Sequence, residues 1–348
     1  MERSYNDEIN NKNVLKLREL LTALPPFCKD FFRGIHDTTS SRTRIAYAYD
    51  LHVFFEFLHE ANRVCRKMNI VDFPLSILDE LKREDILEYA EYLSLYIKDG
   101  KQITNDERGK TRKLASLRTF YNFFYCNEMI HNNPAVLVSL PKLHQKEIVR
   151  LEPNEVAILL DQVEDGVKLT KNQTKYHHKT RLRDMALLTL LLGTGIRVSE
   201  CVGLDLKDID FNTNGIKIHR KGGYETVVYF GDEVQTALLD YLEERKHIIP
   251  LSGHENALFL SIQNRRITVR AVENLVKKYA GLVTNLKKIT PHKLRSTYGT
   301  TLYQETGDIY LVADVLGHKD VNTTKKHYAA IEDANRRKAA KVVRLREK

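Results

Sequence analysis

The amino-acid sequence predicts a mainly α-helical protein with a small antiparallel β-sheet in its C-terminal domain. Apolar residues recur at helical spacing from about Asn11 to Leu140. Between Asp208 and Phe230 the pattern changes to short alternating segments, rich in β-branched and aromatic residues and separated by glycine turns. A polar, proline-bounded segment from Pro141 to Pro153 lies between these regions and predicts a linker between two domains.

The composition favours a nucleic-acid partner. The 348 residues are 42% hydrophobic, which is enough for two domains with their own cores. The 55 Lys and Arg residues exceed the 46 Asp and Glu residues, and the net charge of +9 favours a polyanion. No run of about 18 apolar residues occurs, and the polar N-terminus is unlike a signal peptide, so we expect a cytoplasmic protein with no membrane association. The four cysteines have neither Cys-x-x-Cys nor zinc spacing, so we expect no disulfides and no structural zinc.

The N-terminal half carries apolar stripes that predict helices packed on a shared core. The first two stripes consist of Leu51, Phe54, Phe55 and Leu58, and of Ile86, Tyr89, Ala90, Leu93 and Ile97. A third helix, about Lys110 to Tyr125, places Leu114, Leu117, Tyr121 and Phe124 on one side. Its basic residues Arg112, Lys113 and Arg118 point elsewhere, where they can bind phosphates or form an ordinary solvated face.

The C-terminal half begins with a predicted helix from Pro153 to Gln162. A polar stretch from about Glu164 to Lys179 has no apolar rhythm, and Met185 to Leu192 predicts a buried helix. The predicted sheet has turns at Asn214-Gly215 and at Lys221-Gly222-Gly223, and a further short strand is expected at Ala257 to Ser261.

The first candidate site motif is Thr194-Gly195-Ile196-Arg197-Val198-Ser199-Glu200. Gly193 and Gly195 are expected to break the buried helix, and Thr194 to cap a new helix with Arg197 in its first turn. A first helical turn favours an anion, and Glu200 can orient the Arg197 guanidinium. By itself, however, an Arg and a Glu three residues apart are more often a surface ion pair.

The second motif, Thr290-Pro291-His292-Lys293-Leu294-Arg295, predicts a helix that starts at Pro291 and places His292 and Arg295 on one face. Histidine can donate a proton near neutral pH, and arginine offers a planar fork for two phosphate oxygens. A surface His and Arg are the alternative.

The third motif is Leu316-Gly317-His318-Lys319-Asp320. Gly317 is expected to end a helix that starts at about Asp308, which leaves His318 on the following loop. Residues 322–324 are expected to cap another helix, which carries Tyr328. A helical tyrosine is most often a packing residue.

The ordered set of an arginine, a lysine on a β-turn, His-x-x-Arg, Gly-His and a tyrosine resembles the tyrosine recombinase or phage integrase family, most closely its Xer-like members. The resemblance covers residues 151–334 and extends more loosely to Thr111-Arg112-Lys113-Leu114-Ala115-Ser116-Leu117-Arg118 in the helical half. It implies a catalytic set of Arg197, Lys221, His292, Arg295, His318 and Tyr328, with Glu200 in support. His318 and Tyr328 are ten positions apart, one more than the family usually has.

The resemblance also implies the organisation of the chain, a two-domain clamp on DNA. A partly helical N-terminal extension (1–40) would precede a helical core-binding domain (41–140), the linker (141–153) and the catalytic domain (154–334). The basic C-terminal helix (335–348) would be exchanged between protomers.

The implied reaction needs no cofactor, metal or ATP: Tyr328 would cut DNA through a 3′-phosphotyrosine in a tetramer on two DNA sites. Lys221 is the first candidate for general acid, and His292 and His318 are interchangeable alternatives. A type IB topoisomerase and a non-catalytic DNA-binding protein remain open, whereas a metal-dependent nuclease would need clustered carboxylates, which the sequence lacks. Chromosome dimer resolution, mobile-element integration and plasmid maintenance use the same chemistry, so the sequence leaves the role and the target site open.

Overall fold

A computed structural model describes residues 5–143, 149–220, 224–318 and 321. The chain divides into two compact units, Met1–Lys146 and Glu147–Lys348. The boundary falls inside the segment from Pro141 to Pro153 that the sequence predicts to be the linker.

The first unit is built mainly of helices. They are α1 (Tyr5–Leu21), α2 (Cys28–Gly34), α3 (Ser41–Ala61), α4 (Ile77–Glu80), α5 (Arg83–Tyr92) and α6 (Glu107–Cys126), with short 3-10 turns at Cys65–Lys67, Ile70–Asp72 and Pro134–Leu137. The stripes predicted for α3 and α6 are buried, and their aromatic rings interlock: Phe120 of α6 meets Phe55 of α3 edge to face. The two predicted core helices are therefore confirmed.

A β-hairpin interrupts the region that the sequence predicts to be entirely helical. Strand β1 (Leu95–Lys98) pairs antiparallel with β2 (Lys101–Thr104). Asp99 and Gly100 between them both have positive φ, as a two-residue hairpin turn of type I′ requires. The expected helical stripe therefore ends before Ile97, which lies on β1 and is 66% exposed.

The second unit combines helices with one three-stranded sheet. Its helices are α7 (Pro153–Asp165), α8 (Lys171–Thr194), α9 (Val198–Gly203), α10 (Asp232–Lys246), α11 (Val269–Ala280), α12 (Pro291–Thr306) and α13 (Ile309–Leu316), and its strands are β3 (Ile209–Asp210), β4 (Gly215–His219) and β5 (Glu225–Tyr229). The strands follow the order β3-β4-β5 and pair antiparallel, which confirms the predicted sheet. At the expected strand from Ala257 to Ser261 the structure has isolated bridges, Asp205 to Ala257 and Leu260 to Arg266.

Helix α8 differs from the prediction at both ends. It begins at Lys171, inside the polar stretch, and it continues through Gly193 to Thr194. Gly193 does not break the helix; it leaves room for α10, since a Cβ there would lie 2.5 Å from Val234 Cγ2. The helix ends at Gly195, whose φ of 62° is left-handed.

Within the described ranges, none of the helices combines the length and the apolar character that crossing a bilayer requires.

Candidate active site

Arg197 lies between α8 and α9 and is the N-cap residue of α9, not a residue of its first turn. The predicted N-cap, Thr194, is instead the last residue of α8, and its hydroxyl donates to the Leu190 carbonyl at 2.6 Å. The Glu200 carboxylate accepts from the Arg197 backbone N–H at 2.7 Å and from Arg197 Nη1 at 2.8 Å. Since the Glu200 side chain is only 4% exposed, this pair is not an ordinary surface ion pair.

Arg295 lies on the first turns of α12, which starts at Pro291 as predicted. The residue is 5% exposed, and its Nη1 donates to the Gly195 carbonyl at 2.6 Å while its Nη2 donates to the Leu316 carbonyl. His292, three residues earlier on the same helical face, is exposed. The arginine is thus fixed inside the fold, and the histidine lies at its surface.

Helix α13 begins and ends where the sequence predicts. The Asp308 carboxylate caps it by accepting from the N–H groups of Tyr310 at 2.8 Å and Leu311 at 3.1 Å. Gly317 ends it with a φ of 61°, and His318 follows outside the helix. The short helix therefore sets the position of His318.

Three arginines donate hydrogen bonds from their guanidinium groups to backbone carbonyls at the end of α13. These carbonyl groups, from Asp314, Val315, Leu316 and Gly317, form what we call the carbonyl turn. Arg295 donates to Leu316, and Arg197 Nη2 donates to Gly317 at 3.3 Å. The third arginine, Arg220, follows β4 and donates to Asp314 at 3.3 Å and to Val315 at 2.7 Å.

Arg220 belongs to none of the three candidate site motifs in the sequence. Its partners lie 94 and 95 residues further along the chain, so no local spacing marks it. Helix C-termini attract cations because their last carbonyls lack N–H partners within the helix. Burial lowers the pKa of the Arg220 guanidinium, but an arginine remains charged in proteins.

Arg197 and Arg295, both bonded to the carbonyl turn, together suit a phosphate. Each guanidinium carries its N–H groups in a rigid plane, so bonds to one or two acceptors fix the orientation of that plane. Glu200 neutralises one of the charges and orients Arg197. Fixed arginine planes can bind two oxygens of one phosphate and stabilise added negative charge there.

Two of the predicted catalytic residues, Lys221 and Tyr328, lie outside the described residues. The same holds for the expected cap at residues 322–324 and for the predicted C-terminal helix, 335–348.

The predicted DNA-binding residues of α6 differ in their exposure. Arg112 is exposed, and its Nη1 donates at 2.5 Å to the buried Asp50 carboxylate. The expectation that Lys113 points outward is wrong: it is 8% exposed, its Nζ donates to Asn105 at 2.8 Å, and burial lowers its pKa. Arg118 is half-buried and donates to two backbone carbonyls, those of Ala135 at 3.0 Å and of Val138.

A family model described as the phage integrase family matches residues 150–335. The chain is 31% identical over 329 residues to the tyrosine recombinase XerC of Caldanaerobacter subterraneus subsp. tengcongensis, covering 90% of this chain and 86% of that protein. It is 33% identical over 291 residues to XerC of Thermodesulfovibrio yellowstonii, covering 82% and 85% of the two chains. The chain therefore belongs to the phage integrase family, and the resemblance drawn from its motifs is confirmed.

Solved structures of recombinases share the fold. The XerH site-specific recombinase in a post-cleavage complex with its palindromic difH substrate superposes with a TM-score of 0.64 at 21% identity, covering 87% of this chain and 80% of that one. The Tn1549 transposon integrase in complex with circular intermediate DNA gives a TM-score of 0.61 at 21% identity, covering 87% and 95%. The predicted mainly α fold with a small antiparallel sheet is confirmed.

The Arg197–Glu200 pair gives a prediction for stability. Glu200→Gln keeps the size of the side chain but replaces one acceptor oxygen with an NH₂ group that faces a buried donor. We expect a loss of about 1–3 kcal/mol in the free energy of unfolding, measured by urea denaturation.

Arg270 and Glu273 offer a matched control, because they have the same spacing and are 80% and 43% exposed. Glu273→Gln should change the free energy of unfolding by less than about 0.5 kcal/mol. Equal losses in the two variants would mean that the Arg197–Glu200 pair behaves as a surface pair.

Proposed function

We propose that this chain, a site-specific recombinase of the tyrosine class, cleaves and rejoins double-stranded DNA through Tyr328. The observation that carries the proposal is the carbonyl turn. It holds Arg197 and Arg295 at the segment that continues into His318, and Tyr328 follows ten residues later in the chain.

In the proposed reaction, the Tyr328 hydroxyl oxygen attacks a DNA phosphorus in line. The bond from the Tyr328 oxygen to phosphorus forms as the phenolic proton passes to water, the bond from phosphorus to the 5′-oxygen breaks, and a 3′-phosphotyrosine and a 5′-hydroxyl result. Negative charge grows on the non-bridging oxygens, where Arg197 and Arg295 are proposed to bind. The positions of the two guanidinium groups are set before DNA arrives, so little reorganisation is needed.

The 5′-oxygen needs a proton as it leaves. Lys221 is the proposed general acid, and His292 and His318 orient the phosphate or assist the proton transfer. The phosphotyrosine keeps the free energy of the broken phosphodiester, so the 5′-hydroxyl of a second strand can reverse the step without ATP. Two arginines supply the positive charge that the reaction requires, so the proposed mechanism uses no metal ion.

DNA contacts outside the reacting phosphate are proposed for α6. The exposed Arg112 is the strongest candidate, because Asp50 holds its guanidinium at the surface. For Lys113 and Arg118 the role stays a prediction, and their contacts within the protein support structural roles. The net charge of +9 supports salt-dependent binding to the DNA backbone. The cytoplasmic location expected from the sequence also stays a prediction.

The proposed assembly is a homotetramer on two DNA sites. The segment from 335 to 348 is rich in basic residues and carries a short apolar set, which suits a helix that docks onto a neighbouring protomer. A head-to-tail contact of this kind can close into a ring.

The nucleophile is tested on a nicked suicide duplex, from which the short fragment with the new 5′-hydroxyl dissociates, so that rejoining is prevented and the adduct accumulates. The wild-type chain should form a covalent DNA adduct that mass spectrometry locates on Tyr328, with or without EDTA. Tyr328→Phe should bind the duplex and form no adduct, since the attacking oxygen is gone.

Tyr310→Phe is the matched control, because Tyr310 is an exposed tyrosine on α13 (71%) that should keep the adduct. An adduct that survives Tyr328→Phe would refute the assignment. If the wild type forms no adduct, a non-catalytic DNA-binding protein is favoured. If EDTA abolishes DNA cleavage, a metal-dependent nuclease is favoured. Relaxation of supercoils without recombination of two sites would favour a type IB topoisomerase.

The assembly is tested by removing the residues after Arg336. The truncated chain should still bind a single DNA site, because the arginine site is retained, but it should form fewer tetramers. Light scattering of the DNA complexes measures the difference. Tetramer formation equal to that of the full chain would contradict the proposed docking of the segment.

A further inference from the structure

Arg220 joins two segments of the second unit that are far apart in the chain. Its backbone N–H donates to the Tyr224 carbonyl at 2.7 Å, which extends the β4–β5 pairing by one residue. Its guanidinium points away from the hairpin and donates to the Asp314 and Val315 carbonyls at the end of α13. One residue therefore ties the hairpin to the carbonyl turn.

Gly317 provides the space in which the Arg220 guanidinium lies. A Cβ built on Gly317 would be 1.4 Å from Arg220 Nη1 and 2.3 Å from its Cζ. Any side chain at position 317 would displace the guanidinium, so the contact depends on a glycine as well as on an arginine.

We propose that Arg220 is a positioning residue that latches the β4–β5 hairpin to the carbonyl turn and thereby holds Lys221 at the phosphate site. Lys221 directly follows Arg220, and consecutive Cα atoms lie about 3.8 Å apart. An anchored Arg220 therefore limits where the lysine side chain can reach.

Lys221 needs to be positioned because the lysine ammonium is a point charge on a flexible four-carbon stem. A general acid has to come within about 2.6–3.2 Å of the oxygen that it protonates. The carbonyl turn is also bonded to Arg197 and Arg295, so a hairpin bonded to it shares one anchor with the groups that are proposed to bind the phosphate. The inference rests on the proposed function, specifically on a role for Lys221 in the reaction.

A double-variant experiment tests whether Arg220 acts through Lys221. The single-turnover cleavage rate of a nicked duplex is measured for the wild type, Arg220→Ala, Lys221→Ala and the double variant. A misplaced catalytic group should slow Arg220→Ala by about 10- to 100-fold. In the Lys221→Ala background, Arg220→Ala should lower the cleavage rate by less than about twofold, because no lysine is left to position. Independent, multiplicative losses would overturn the proposal.

Arg220→Lys provides a second test in case the alanine variant does not fold. It keeps the positive charge and the packing of the stem but lacks the two-pronged fork that reaches both carbonyls. We expect it to bind DNA like the wild type and to cleave it about 10-fold or more slowly. Cleavage at the wild-type rate would overturn the proposed latch.

A substrate with sulfur in place of the bridging 5′-oxygen separates the latch from the proposed role of Lys221. A thiolate, whose conjugate thiol has a pKa of about 8.5, leaves without a proton, so both single alanine variants should recover to within about threefold of the wild type. Failure of Lys221→Ala to recover would refute the general-acid assignment and leave the double-variant result to decide the latch. Recovery of Lys221→Ala without recovery of Arg220→Ala would overturn the latch itself.

The glycine side of the latch has its own matched control. Gly317 and Gly307 both end helices with positive φ, 61° and 68°, but a Cβ on Gly307 would meet nothing within 4 Å. Gly317→Ala should slow cleavage about 10-fold or more and add little to Arg220→Ala, whereas Gly307→Ala should stay within about twofold of the wild type. Equal rates for the two glycine variants would contradict the proposed fit between Gly317 and Arg220.

Discussion

The second unit depends on the four carbonyl groups that end α13. A helix leaves its last carbonyls without partners, and the partial negative charge there favours cations. In this protein Arg197, Arg220 and Arg295 donate to these carbonyls, and they come from the N-cap of α9, the residue after β4 and the first turns of α12. One helical turn therefore brings together segments that are separated by up to 120 residues.

This arrangement explains how three positively charged groups can lie close together. The carbonyl turn and the Glu200 carboxylate offset part of the charge, and hydrogen bonds fix each guanidinium plane. Arg295 is buried and also bonded to the Gly195 carbonyl, so its geometry is set by the ends of two helices, α8 and α13. Groups that are oriented in advance stabilise developing charge better than flexible ones, since little reorganisation is needed during the reaction.

The local features of the site could be predicted from the sequence. Pro291 places His292 and Arg295 on one helical face, and Gly317 ends α13 before His318, as capping rules predict. The spacing of its apolar residues likewise predicts helix α6. The hairpin at 95–104 was not predicted, although Asp99-Gly100 between alternating residues is a local turn signal.

Features set by contacts that the helical spacing does not show could not be predicted. The position of Arg197 outside the first turn of α9 follows from the left-handed end of α8 at Gly195. The buried Lys113 donates a hydrogen bond to Asn105, just before α6. Helical spacing does not predict this contact or the inward direction of the lysine. Arg220 has its partners 94 and 95 residues away, and only the three-dimensional structure connects them.

A crystal structure of the full chain on a nicked DNA duplex with orthovanadate, which mimics the pentacoordinate phosphate, would test whether the arginines act from the carbonyl turn. We expect Arg197 and Arg295 to contact the vanadate oxygens while they keep their bonds to the carbonyls of Gly317 and Leu316. We also expect His292 and His318 at the same vanadate and the Tyr328 oxygen in line with the 5′-oxygen. Vanadate bound without these two arginines, or arginines that leave the carbonyl turn to reach it, would refute the proposed role of the carbonyl turn.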